Sequence, residues 1–149
     1  MEINVYTDGA CSNNGRANAK AGLGIYFGEN DPRNSSERII GKQTNNTAEL
    51  TAILRAAAIL QDEILSGTIV NIYSDSEYAM KCCTTYGEKL EKKGWGIGSK
   101  KVIPNLDLVK KAYTVFKSLD NVYFHYIAAH TGLNDIHSRG NEGADKLAN

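Results

Sequence analysis

Thr68-Ile69-Val70-Asn71-Ile72-Tyr73-Ser74-Asp75 is the most β-branched run in the chain, and it ends on a carboxylate. Such residues suit a pleated sheet, so the run is read as a strand. A second run, Ile3-Asn4-Val5-Tyr6-Thr7-Asp8-Gly9, alternates in the manner of a strand and also ends on Asp. Between the two lie Gly22 to Gly28 and Ser36 to Gln43, both strand-like and separated by the breaker Asn30-Asp31-Pro32. With the N-terminal strand they form an antiparallel meander. An Ala-rich helix then intervenes, and a right-handed crossover lays the 68–74 strand parallel to the first. Parallel neighbours deliver Asp8 and Asp75 to one edge, each at the C-terminal end of its strand, where open α/β sheets place ligand chemistry. Alone, an Asp-Gly pair after a strand reads as a turn. Further carboxylates in comparable settings give it another meaning.

The helix spans Asn46 to Leu65, with Ala52, Ile53, Ala56, Ala57 and Leu60 at helical spacing and Asn45 or Asn46 as the cap. Glu49 falls on the apolar stripe, away from Thr51, Arg55 and Asp62. A first-turn Glu is also favoured by the helix dipole, so this position has a structural reading beside the functional one. Ser76 caps a short helix to Cys83. Pro104-Asn105-Leu106-Asp107 opens another, to about Ser118, with Leu108, Val109, Ala112, Val115 and Phe116 facing inward. Asn121 to Ala129 is the last strand and leads to His130-Thr131-Gly132. A polar loop covers Leu133 to Gly140, and a short final helix holds Asn141-Glu142-Gly143-Ala144-Asp145.

The 149 residues and 16.3 kDa predict a single domain over 1–149. Seventeen basic residues balance seventeen acidic ones, so a polyanion would need a local patch. Lys89 to Lys101 offers one, with Trp95 among glycines. From Lys81 to Lys111 eight lysines face Glu88, Glu91 and Asp107, the composition of a groove for a phosphate backbone. No membrane span or signal layout is present, and an intracellular, cytoplasmic protein is expected. Cys11, Cys82 and Cys83 have no zinc spacing and are expected as reduced thiols.

Asp8, Glu49, Asp75 and Asp145 could form one acidic pocket. Four mutually repelling carboxylates are poor structural material, but hard divalent cations, Mg²⁺ above all, use oxygen ligands of this kind. A pair of such ions about 3.5 to 4 Å apart serves phosphodiester hydrolysis.

Five ordered motifs then carry a resemblance. Tyr6-Thr7-Asp8-Gly9, Gln43-Thr44-Asn45-Asn46-Thr47-Ala48-Glu49-Leu50, Tyr73-Ser74-Asp75-Ser76, His130-Thr131-Gly132 and Asn141 to Ala148 resemble those of ribonuclease H of type 1, over Ile3 to Ala148. Cys11 to Arg16 and Lys93-Gly94-Trp95 are similar to its eukaryotic-style version. The resemblance implies an α/β, RNase H-like fold: a mixed five-stranded sheet, three-strand antiparallel meander plus parallel strands, flanked by helices. It implies cleavage of the RNA strand of RNA-DNA hybrids, with two Mg²⁺ ions (Mn²⁺ as the alternative) and 5′-phosphate and 3′-hydroxyl products. Asp8 would bridge both metals, with Asp145 on the water-activating ion and Glu49 and Asp75 on the other, and His130 would assist proton movement or product release. Asn14, Asn45 and Asn46 would touch the hybrid's minor groove, and Lys42 and Thr44 a DNA phosphate. Ser76, Tyr78 and Trp95 would line the DNA strand, and Lys92, Lys93, Lys100 and Lys101 belong to a basic protrusion at 89–101. Two departures stand out. His130 and Asp145 are fifteen positions apart, with Asn134 to Ser138 looking inserted, and Glu91 replaces a second channel aromatic. The expectation is a monomer without an obligate protein partner, a hybrid-binding domain or processive action. The rival readings are the same domain inside a reverse transcriptase or strand-transfer machine, and a hybrid-binding module without catalysis.

Overall fold

The computed structural model describes all residues except Ser99, His130 and Gly132. The sheet order is β3-β2-β1-β4-β5, from β1 (Glu2–Ser12), β2 (Lys20–Tyr26), β3 (Ser35–Arg38), β4 (Ile69–Ser74) and β5 (Val122–Tyr126). β1, β2 and β3 pair antiparallel, whereas β1 with β4 and β4 with β5 pair parallel. This is the mixed five-stranded sheet that the sequence implies. The helices are α1 (Asn45–Ile59), α2 (Gln61–Leu65), α3 (Glu77–Cys83), α4 (Thr85–Lys92), α5 (Leu106–Phe116) and α6 (Ile136–Ala148). Among the described residues no helix is long and apolar enough to cross a membrane.

One face of the sheet takes α1. Ala48, Ala52 and Ala56 are fully buried there, and their small side chains let the helix axis approach β1 closely. Leu50, Ile53, Val5, Leu23, Ile25 and Ile72 fill the space between and around them. Each such aliphatic side chain, once buried, contributes roughly 1.5 to 3 kcal/mol. The approach is closest at Gly9, where any Cβ would collide with the backbone of Ala48 and Glu49. The glycine of the Asp8-Gly9 pair therefore makes room for a helix; it does not form a turn. β1 continues through it to Ser12, so Asp8 is not at the strand's end as expected. It lies where the parallel ladder to β4 stops, at Thr7 opposite Ser74, while pairing with β2 carries the strand on.

The opposite face takes α6, chiefly over β1 and β2. Gly24 of β2 sits directly beneath it, and a Cβ there would run into the Ala144 carbonyl and the Ala148 nitrogen. α6 begins at Ile136, so the expected polar loop 133–140 is half helix. Asp135 caps it by accepting from the Ser138 N–H at 2.8 Å, a start signal that does not stand out within the polar run 133–140.

Other boundaries differ for local reasons. Thr44, not Asn45 or Asn46, caps α1, through reciprocal bonds with Thr47. The long Ala-rich helix breaks at Leu60 into α1 and α2. β3 is four residues long and ends at Arg38, and Gln43 donates to the carbonyls of Ile39 and Gly41 in the segment that follows it. α4 has no counterpart in the sequence reading. β5 stops at Tyr126, short of Ala129. Val115, expected to face inward, is 37% exposed, whereas Val109, Ala112 and Phe116 are buried. Ser76 caps α3 as expected, its hydroxyl accepting from the Ala79 N–H. Cys82 and Cys83 are buried and unpaired thiols, and Cys11 is half-buried.

If close helix-sheet packing at glycine positions holds α6 in place, Gly24→Ala should cost about 1 to 3 kcal/mol. Urea denaturation measures this, and an unchanged midpoint would contradict the packing account.

Candidate metal centre and substrate face

Asp8 and Asp75 follow the last paired positions of two parallel neighbours, so they emerge side by side. Glu49, 7% exposed, enters from α1 at the point where Gly9 lets the helix close in. Its Oε1 accepts from the Gly9 N–H, which also donates to Asp8 Oδ1 at 2.9 Å. One carboxylate oxygen from each of Asp8, Glu49 and Asp75 lies within 4.8 Å of the others. Asp145 stands outside this tight triple but close enough to Asp8 to raise its carboxyl.

None of the ion pairs among the described residues involves any of the four. Burial pushes both Glu49 and Asp8 above the usual carboxylate range. Each then feels the other in opposite senses. A shared hydrogen bond favours the proton on Glu49, and the Asp75 charge raises both. Glu49 Oε2 is wholly buried, with no donor aimed at it among the described residues. A proton shared with Asp8 satisfies that oxygen when one of the two groups is protonated; with both ionised, a cation is needed. All-oxygen donors, excess negative charge and an unpartnered buried carboxylate oxygen together fit a hard divalent cation.

One residue near the cluster has no role in the sequence reading. Asn141, on α6 one turn before Asp145, donates from Nδ2 to Asp75 Oδ2 at 3.1 Å. It lies in the last of the five motifs, four residues before Asp145 and so on the same helix face, but its contact with Asp75 depends on the tertiary packing of α6.

The other expected residues fall into separate groups. Asn14 Oδ1 accepts from the Asn45 N–H at 3.0 Å, so these two meet at the N-terminus of α1, beside exposed Asn46 and the capping Thr44. Lys42 donates to Asn105 Oδ1 at 3.4 Å, and Asn105 donates to the Tyr78 hydroxyl. Ser76 is engaged as the α3 cap. Trp95 is only half-exposed and packs beside Tyr113 with Lys110 over its ring, so much of the indole supports the protrusion itself. A groove of about 830 Å³ joins Lys42, Trp95, Lys101 and Asn105 but contains none of the four carboxylates. Lys92 pairs with Glu88, and Glu91 pairs with Lys117, so part of the local charge is compensated. Lys93 and Lys100 are exposed. His130 lies outside the described residues.

Comparison with known proteins places this arrangement. The family model described as RNase H matches residues 1–149, and the chain belongs to that family. It is 39% identical over 145 residues to a ribonuclease H of Schizosaccharomyces pombe, covering 97% of this chain and 50% of that protein. The chain thus spans about half the length of the eukaryotic relatives it matches. In fold it is similar to the PFV RNase H domain, with a TM-score of 0.74 and 23% identity over 98% of this chain and 91% of the other. LC11-RNase H1, solved in complex with an RNA/DNA hybrid, is similar at a TM-score of 0.58 and 25% identity over 98% and 93%.

The carboxyl groups of Asp8 and Glu49 are raised in the folded protein, so their contribution to stability is fully present below about pH 4. It is lost as pH rises through their raised values. In chelator, Asp8→Asn should therefore stabilise the protein at pH 8 by about 1 to 2 kcal/mol, with a smaller gain near pH 5. Thermal melts at the two pH values measure this, and a pH-independent difference would contradict it.

Proposed function

We propose that the protein is a divalent-metal-dependent endoribonuclease that hydrolyses the RNA strand of RNA-DNA hybrids. The observation that supports it most is the cluster of buried Asp8 and Glu49 with half-buried Asp75, and its unpartnered Glu49 oxygen, in a chain of the RNase H family. A protein that only bound a polyanion would be weakened by these carboxylates.

Asp8, Glu49, Asp75 and Asp145 would hold Mg²⁺, as two ions when substrate is bound and with Mn²⁺ as a substitute. Bound there, the metal supplies Lewis-acid stabilisation of phosphoryl oxygens and activation of water for phosphodiester hydrolysis, giving 5′-phosphate and 3′-hydroxyl ends. The protein's own groups do the remainder. Gly9 N–H fixes Asp8 and Glu49 relative to each other before any cation arrives. Asn14 and Asn45, joined at the head of α1, present amides to a minor groove, where 2′-hydroxyls tell RNA from DNA. Asn46 stands beside them. Thr44 and Lys42 would take a DNA phosphate. Ser76, Tyr78 and Trp95 would border that strand, with Lys92, Lys93, Lys100 and Lys101 attracting the backbone farther out. His130 would assist proton movement or product release. The same reading has residues 1–149 act as a single domain, monomeric and intracellular.

The test is a labelled RNA-DNA hybrid beside RNA and DNA duplexes, each with Mg²⁺ and with chelator. Cleavage confined to the RNA strand of the hybrid and abolished by chelation is expected. Asp8→Asn should remove cleavage while hybrid binding stays measurable, and undiminished turnover in that variant would refute the metal assignment. Replacing Lys92, Lys93, Lys100 and Lys101 by Ala should weaken hybrid binding and flatten its dependence on salt, by about 0.7 to 0.9 in the log-log slope for each phosphate no longer neutralised. An unchanged slope in a salt titration would take the protrusion out of the substrate path.

A further inference from the structure

α6 is longer than the sequence suggests, and its extra turns show a regular feature. His137, Asn141 and Asp145 are spaced four apart, so they lie along one helix face. Each meets a different level of the sheet. His137 stacks on Tyr73, with ring centroids 4.6 Å apart, and its Nδ1 shares a 2.8 Å hydrogen bond with the Tyr6 hydroxyl. Tyr6 and Tyr73 are paired neighbours on β1 and β4, two residues before Asp8 and Asp75. Asn141 reaches Asp75, and Asp145 comes up against Asp8. Gly140 lets the helix sink to this depth, since a Cβ there would lie 2.5 Å from the Tyr6 ring.

We propose that Asn141 is a positioning residue: its side-chain amide holds the Asp75 carboxylate in the orientation that the cation needs. The inference rests on the metal reading of the site. Asn141 is 3% exposed, so its amide is committed to this environment and not to water. A hydrogen bond to one oxygen of Asp75 restricts rotation of the carboxylate and leaves the second oxygen for a ligand. The donor is also neutral. A Lys or Arg at 141 would orient Asp75 equally well but would cancel the charge that attracts the metal, whereas an Asp would add repulsion. A neutral amide does neither. His137 and Gly140 set the height of the helix from which Asn141 reaches. Outer partners that orient a metal-binding carboxylate commonly change metal affinity or activity by about 10- to 100-fold when removed.

The experiment is titration of the chelator-treated protein with Mn²⁺, without nucleic acid, read by the EPR signal of free Mn²⁺. Asn141→Leu keeps the volume and loses the donor, and Asn141→Ala serves if the leucine variant does not melt cooperatively. Mn²⁺ binding weaker by about 10-fold is expected, with kcat on the hybrid reduced, KM unchanged, and partial recovery at high Mn²⁺. In an Asp75→Asn background the same replacement should have no further effect on Mn²⁺ binding, which a general loss of packing would not reproduce. Folded variants that bind Mn²⁺ within about twofold of the parent would overturn the inference, and so would an equal loss in the Asp75→Asn background. The parent separates the two levels. A parent that neither binds Mn²⁺ nor cleaves hybrid defeats the metal reading and this inference with it, whereas a tight-binding parent with equally tight variants defeats the inference alone.

Discussion

The close approach of Gly9 on β1 to the first turns of α1 is the constraint on which the rest depends. Because residue 9 has no side chain, the helix comes near enough for a strand N–H to reach the Glu49 carboxylate. That proximity forces a glutamate into a place where water cannot solvate it, next to an aspartate in the same condition. A domain of this size has only a few kcal/mol of net stability, so crowding of like charges is a serious expense unless something offsets it. The arrangement is understandable as a site and hard to understand as scaffolding. On the other face, α6 is brought equally close over Gly24 and Gly140, and that helix contributes the remaining polar groups.

The sequence discloses those parts of this arrangement that depend on local pattern. The β-branched run to Asp75, the alternation before Asp8 and the alanine periodicity around Glu49 are period-two and period-3.6 signals. They suffice for the parallel crossover and for Glu49 to face the sheet. Glycine is the recurrent source of error. In Asp8-Gly9 it suggests a turn, and Gly140 falls at the end of the expected polar loop, yet in both places it serves close packing on another element. Such packing is tertiary and leaves no periodic trace. The misplaced start of α6 follows directly, and with it the hidden alignment of His137, Asn141 and Asp145. The cap of α1 is displaced by one residue because asparagines are strong caps, whereas Thr44 prevails through its reciprocal bond with Thr47.

Charge is divided in space although it balances in sum. The acidic groups that matter are gathered under α1 and α6 without cationic partners among the described residues, and the lysines are concentrated from α4 to α5, where Trp95 is braced by Tyr113 and Lys110. The groove that joins Lys42, Trp95 and Asn105 holds none of the carboxylates. Under the proposed function, a long polyanion would be held by one region while a single phosphodiester is exposed to another. Overall neutrality conceals this polarity, which depends on the fold.

The three thiols differ in a way that has a practical side. Burial pushes the Cys82 thiol up to about 11 and raises Cys83 as well, which leaves almost no thiolate at neutral pH. Alkylating reagents should thus pass over both and select half-buried Cys11, three residues beyond Asp8 on the same strand, with its Sγ against the Gln43 carbonyl. Nature has left a single chemical handle on the strand that carries Asp8, and a fluorophore or spin label fixed there would report on that strand without any engineered cysteine.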